Sequence, residues 1–349
     1  MRVIACRPWC SRTGWDSRNA DPDTLGSMTT AAPLSRPILA GVVTALVGFT
    51  SSFAVVLTGL GAVGATPAQA ASGLLAVSLT MGLACIVLAW RYRMPITVAW
   101  STPGAALLAA TGVVDGGWPA AVGAFLVASA LILLTALWPA LGALIARIPP
   151  SIAQAMLAGV LLPLCLAPIT GLVANPWGVV PVVLTWLVFA RLAPRWAVPL
   201  AFVAAAIVVA VSLIQERSAV DAGLLVPRLE LTAPTFTVGA LVGLALPLFI
   251  VTMASQNVPG IAIMRSFGYE VPWRPAMLVT GVGTAVGATA GGHAINLAAI
   301  SAALAASPDA DPDPKRRWVA GVSTGVSYLL LGGFSAAFAT LVLLSLIHI

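Results

Sequence analysis

The stretch "GATAGGHAINLAAISAAL", Gly287 to Leu304, sets a histidine, an asparagine and paired glycines inside an apolar run. His293 is one of two histidines in the chain, and the other, His348, stands next to the last residue. A titratable ring is conspicuous there because the 349-residue chain is 60% hydrophobic and only 8% charged, with a mean hydropathy of +1.02. Those values define an all-α polytopic membrane protein rather than a soluble domain. The net charge of +6 does not indicate a nucleic-acid partner, since the arginines fall in short loops and the N-terminal tail, where membrane topology accounts for them. Four cysteines, two in the tail (Cys6, Cys10) and two in apolar segments (Cys85, Cys165), make neither a disulfide framework nor a metal cluster.

Outward from this stretch, residues 1–35 read as a disordered tail, with Met28 as an alternative start. Apolar runs of about 20 residues, the length a spanning helix needs, then predict eleven segments. They lie at Ile38–Leu60, Ala70–Trp90, Thr97–Thr111, Pro119–Ala146, Ile152–Val173, Val179–Ala190, Val198–Ile214, Phe236–Ala254, Pro275–Ala288, His293–Ala306 and Trp318–Leu346. The third, sixth, ninth and tenth are too short to span as regular helices. Arg91, Arg93, Arg147, Arg191, Arg195, Arg265, Arg274 and Lys315 to Arg317 fall on the side of the N-terminal tail. The other side receives Arg217 and Arg228, accompanied by Glu216, Asp221 and Glu230. This asymmetry predicts a cytoplasmic N-terminus and requires the third and tenth segments to cross.

A short segment crosses when an extended stretch carries the chain to mid-membrane and a half-helix completes the passage, the bare backbone being buried in protein. "MPITVAWSTPGAALLAA", Met94 to Ala110, suits this, with β-branched residues followed by Ser101 as a helix cap and an early Pro103. The tenth segment runs from small residues into an alanine-rich helix expected to begin at His293. Two discontinuous segments seven apart predict a 7+7 inverted repeat.

The motifs "MASQNVPGIAIMRSFGY" (Met253 to Tyr269), "GGHAINLAAI" (Gly291 to Ile300), "PITVAWSTPGAALL" (Pro95 to Leu108) and "PPSIAQAMLAGVLL" (Pro149 to Leu162) resemble the benzoate:proton symporters, the BenE family of bacterial inner-membrane transporters. The resemblance runs from about Arg36 to about Leu344. It implies a fold similar to the uracil:proton symporter and the sulfate-permease-like carriers, with fourteen segments whose third and tenth meet head to head at the substrate. On that pattern residues 36–148 and 235–314 are core segments, 149–234 are gate segments, and 315–349 begin an incomplete remainder. About eleven segments are present and the chain stops at "LLSLIHI", which reads as a truncation. The implied partners are benzoate or a related aromatic carboxylate, a proton, the lipid bilayer and a second copy in a homodimer; no cofactor or metal is implied.

All eleven acidic residues fall in the tail or predicted loops, which suits an anionic substrate. Two half-helix N-termini would offer it unpaired N–H groups and positive dipole ends. Thr102 and Gly104 on one side, and Gly291, Gly292 and His293 on the other, are the substrate-binding candidates. The glycines read equally as packing positions. His293 is the candidate proton-coupling residue, against the alternative of a neutral ring that merely hydrogen-bonds. Asn296 is expected on the same helix face. Gln256 and Asn257 end the eighth segment, either facing the ligand or capping the helix. Phe49, Phe53, Trp100 and Phe249 are candidates for a ring slot, or ordinary lipid-facing and core residues.

These readings describe a proton-coupled importer of benzoate or a similar acid. The alternatives are an uncoupled anion facilitator or channel, and a carrier of another small organic anion. An intramembrane enzyme is excluded by the lack of a catalytic constellation, and ATP-driven pumping by the lack of a phosphate-binding loop.

Overall fold

The computed structural model describes residues 34–147, 150–215 and 226–348. The tail, the Met28 start, and Glu216, Arg217 and Asp221 lie outside the described residues. The first span is broken: α1 (Ser35–Thr50) and α2 (Phe53–Ala62) are separated by Ser51 and Ser52. Next comes α3 (Pro67–Tyr92), whose first turn is closed by a reciprocal Thr66–Gln69 capping box. The third segment is a strand, β1 (Val98–Trp100), followed by the half-helix α4 (Thr102–Thr111), as "ITV" and the Ser101 cap predict.

The fourth predicted segment divides at Trp138 into α5 (Gly117–Leu137) and α6 (Pro139–Ala146). Three helices follow: α7 (Pro150–Ala174), α8 (Pro176–Leu192) and α9 (Ala197–Gln215). The sixth segment is therefore longer than expected, because Asn175 caps α8 through Gly178 N–H and Pro176 opens it.

The eighth segment requires a correction. It does not end before "VPG" but continues as one span, Val238–Ser266. Helical pieces α10 (Val238–Ala240), α11 (Leu246–Thr252) and α12 (Val258–Ser266) are joined by π-helical turns at Leu241–Ala245 and Met253–Asn257. Each wide turn precedes a proline, Pro247 or Pro259, and contains the carbonyl four residues before it, Gly243 or Ser255. Proline cannot donate to that carbonyl and crowds it, so the helix widens instead of stopping. In lipid the span persists because a broken backbone would cost more than a bulge.

The ninth segment is α13 (Trp273–Ala288). The tenth is again a strand and a short helix, β2 (Ile295–Leu297) and α14 (Ile300–Ala306), so its helix begins seven residues later than expected. The predicted eleventh helix is two, α15 (Trp318–Gly332) and α16 (Ser335–His348), with a 62° bend between Trp318–Gly332 and Ser335–Val342. Among the described residues, four spans are long and apolar enough to cross a bilayer unaided: Ser35–Ala62, Pro67–Tyr92, Gly117–Leu137 and Val238–Ser266.

Small residues let these helices approach closely. A Cβ on Gly82 of α3 would lie 2.8 Å from the Gly325 carbonyl of α15, and one on Gly325 would lie 2.5 Å from the Gly82 carbonyl. The loop after α14 is tied by Arg317, which is 5% exposed and donates to the carbonyls of Ala306 (2.9 Å) and Asp311 (2.7 Å). Its guanidinium thus sits at the negative end of α14, where a cation is favoured. Tyr269 donates to the Pro314 carbonyl across the same loop, and partial burial raises its phenol above the ordinary value while Arg317 opposes the rise.

Candidate functional site

β1 and β2 pair antiparallel, with Val98 opposite Leu297, Ala99 opposite Asn296 and Trp100 opposite Ile295. Bonds from Ser101 N to Ala294 O and from Ala298 N to Thr97 O, both 2.9 Å, extend the ladder at either end. A two-stranded ladder leaves an outer edge on each strand, and inside a bilayer those groups need partners. Side chains from three other spans supply them. Cys85 of α3 bonds both the N–H (3.0 Å) and the carbonyl (3.3 Å) of Val98. Thr284 of α13 accepts from Ile295 N–H at 3.1 Å, and Asn257 of the second π-helical turn accepts from Leu297 N–H at 2.8 Å. The paired strands are thereby tied to three spans.

His293 lies just before β2, fully buried, with Nε2 3.1 Å from the Ser101 carbonyl. A carbonyl only accepts, so Nε2 carries the hydrogen and, in the neutral ring, Nδ1 keeps a bare lone pair. Nδ1 has no hydrogen-bond partner. The same Ser101 carbonyl accepts the first helical bond of α4, from Ala105 N–H at 2.8 Å. Protonation of the imidazole would therefore be felt directly at the start of that half-helix. The Ser101 hydroxyl accepts from Gly104 N–H (3.1 Å) and from Thr252 of α11 (2.9 Å), tying the third segment to the eighth.

Thr102, the first residue of α4, donates to the Ser52 hydroxyl at 3.3 Å, and Trp100 Nε1 donates to the same oxygen at 2.9 Å. Ser52 thus joins the break in the first span to the crossing. Around it the rings gather: Phe49 meets Trp100 edge-on at 5.0 Å and stacks on Phe53 at 5.9 Å. Phe338 of α16 and Phe202 of α9 close on Phe53 at 5.2 and 5.3 Å. Phe49, Phe53 and Trp100 are therefore brought together, whereas Phe249 is buried in α11 and makes none of these ring contacts.

The other candidates are placed differently from the sequence expectation. Gly104 N–H is already bound by Ser101, and a Cβ there would lie 2.6 Å from Leu248. Gly291, with φ +87°, turns the chain out of α13 against Trp118, which a Cβ would approach to 2.9 Å; only glycine takes that turn without strain. Gly292 donates to the Gly287 carbonyl at 2.8 Å and packs there, so neither glycine begins a helix. Asn296 is on a strand rather than on a helix face with His293; its Nδ2 donates to the Leu297 carbonyl while Oδ1 is buried without a partner. Asn257 and Gln256 lie inside the continuous span, not at its end. Asn257 is committed to β2, while Gln256 is half-buried, about one wide turn beyond Thr252. The edge partners Cys85 and Thr284 and the tie through Thr252 have no local sequence signal, because each acts on a residue outside its own helix.

Two broken segments crossing as paired strands within a helical membrane bundle define the architecture of a membrane transporter. The comparisons agree. The sequence profile of the family described as "Benzoate membrane transport protein", BenE, matches residues 32–346, and the chain belongs to that family. Its members are membrane transporters and not enzymes. The chain is 38% identical over 302 residues to the inner membrane protein YdcO of Escherichia coli, covering 86% of this chain and 76% of that protein. It is 28% identical over 267 residues to the benzoate membrane transport protein of Acinetobacter baylyi, covering 76% and 67% respectively. The transmembrane domain of a cyanobacterial bicarbonate transporter, BicA, has a similar fold, with a TM-score of 0.58, coverage of 88% of this chain and 86% of that one, and 15% sequence identity.

Proposed function

We propose that this chain imports benzoate or a similar aromatic carboxylate across the bacterial inner membrane together with a proton, its N-terminus cytoplasmic. The observation that carries the reading is His293: buried, committed through Nε2 to the Ser101 carbonyl at the start of α4, and left with Nδ1 free of any hydrogen bond. No acidic residue occurs in any described helix or strand, so nothing in the spans repels an anion. The carboxylate accepts from the Thr102 hydroxyl, which turns away from Ser52 to donate to it at the positive end of α4, with the Gln256 amide as a further donor. The ring packs toward Trp100 and Phe49. An anion beside His293 favours proton uptake at Nδ1, and by reciprocity the proton favours the anion, so the pair crosses as a neutral load. Core segments 36–148 and 235–314 carry this site past the gate segments 149–234, in an inverted-repeat arrangement.

The test is uptake of labelled benzoate by cells expressing the protein, with and without a proton gradient. Wild type should accumulate benzoate, with apparent affinity tightening as pH falls. His293→Gln keeps a hydrogen-bonding side chain but cannot gain the charge. It should lose accumulation while still exchanging benzoate. Retained accumulation with unchanged pH dependence would show that the proton travels another way, and simple equilibration by wild type would identify an uncoupled facilitator.

A further inference from the structure

We propose that a second binding station for the aromatic acid lies outside the crossing, in the cavity between the break in the first span and helices α8, α9 and α16. This rests on the reading that the protein carries an aromatic carboxylate. The cavity has a volume of about 280 Å³, near the low end of small-molecule pockets, roughly 300–1,000 Å³, and so suits a single ring. Phe53 and Phe202 form its aromatic wall, 5.3 Å apart and nearly perpendicular at 87°. Val198 and Val342 continue the apolar lining, and no lining residue is charged.

The polar end is formed by Thr50 and Ser51. Their hydroxyls rest on the carbonyls of Leu46 (2.7 Å) and Gly48 (3.1 Å) and can turn to a carboxylate instead. The break carries a hydroxyl on each side: Ser51 is exposed toward the cavity, while Ser52 is buried and bonded to Trp100 and Thr102. Phe202, Phe53, Phe49 and Trp100 make consecutive ring contacts of 5.3, 5.9 and 5.0 Å, leading from the cavity to the crossing. An aromatic acid gains edge and face contacts at each step. An aliphatic chain of equal length gains only burial, which is why the occupant is an aromatic acid rather than a lipid tail.

The experiment places a cysteine at Ala205, which lines the cavity, and follows its modification by N-ethylmaleimide in the purified full chain, read by peptide mass spectrometry. Saturating benzoate should slow labelling at position 205 by about fivefold or more, as mass action at an occupied site requires. Octanoate should slow it less than about twofold, and labelling of the exposed native Cys165 should not change. Protection at 205 should persist when His293→Gln is added, since the station is separate from the crossing. In a second arm, Ala205→Trp fills the cavity and should remove one bound benzoate per chain in equilibrium dialysis. Equal protection by octanoate would make the cavity a lipid crevice and overturn the proposal. Benzoate binding by wild type without protection at 205 would overturn it alone, whereas no benzoate binding by wild type would overturn the transport reading and this proposal with it.

Discussion

The third and tenth segments are strands of one ladder, yet they are built differently. The third places its specialisation in the helix: α4 has ten residues, a Ser101 cap, Pro103 in the first turn and Thr102 beside it. The tenth places it in the strand and just before it: α14 has seven residues and no side-chain cap, and its first residue, Ile300, is 84% exposed, while His293 and Asn296 are fully buried. Only one segment supplies a well-formed helix end, and only the other supplies a titratable ring. The two segments are thus unequal partners in one ladder, and the Ser101 carbonyl is the point where the capped helix end and the buried ring touch.

The comparison breaks most severely on the tenth side. Asn257→Leu should leave Leu297 N–H unpaired on the outer strand edge, a loss of several kcal/mol in a bilayer interior. Thermal unfolding in detergent should show it, and benzoate binding should fall together with stability. On the third side, Gly59→Ala forces a methyl group against the Ala105 carbonyl and the Leu108 side chain. About 1–3 kcal/mol of overpacking is expected, with α4 displaced and binding weakened. The matching Gly61→Ala meets nothing within 4 Å and should instead gain roughly 0.5–1 kcal/mol from the helix preference for alanine; equal losses in both variants would show that α2 does not position α4. The smallest loss belongs to Ser101→Ala, about 1 kcal/mol for the missing cap. It should change benzoate affinity more than stability, because the same hydroxyl also holds Thr252. If stability alone moved, the first turn of α4 would be excluded from the substrate site.

Much of this was legible in the residues. Hydropathy defines a membrane protein, and "ITVAWSTP" writes its own geometry, because β-branching, capping and proline act on neighbours. "AINLAAISAAL" carries no comparable punctuation: alanine favours helix throughout, so the reading that starts α14 at His293 is locally sound. Pairing with β1, two hundred residues away in sequence order, overrides that preference as far as Ala298. "NVPG" likewise reads as a helix end to anyone counting local bonds, yet the span runs on through it as α12 after a π-helical turn at Met253–Asn257, because a broken backbone inside a bilayer would cost more than a bulge.

By itself the sequence determined the membrane class, the family, the broken third segment and the isolation of His293, all of which follow from composition, motif or neighbour chemistry. The tertiary structure decided which strand edges are closed and by what. Asn257 meets Leu297 forty residues on, Thr252 meets Ser101 across 151, and His293 meets Ser101 across 192. Periodicity and capping reach only a few residues along the chain, whereas an unpaired strand edge in lipid is satisfied by whichever polar side chain the packing of the spans delivers to it.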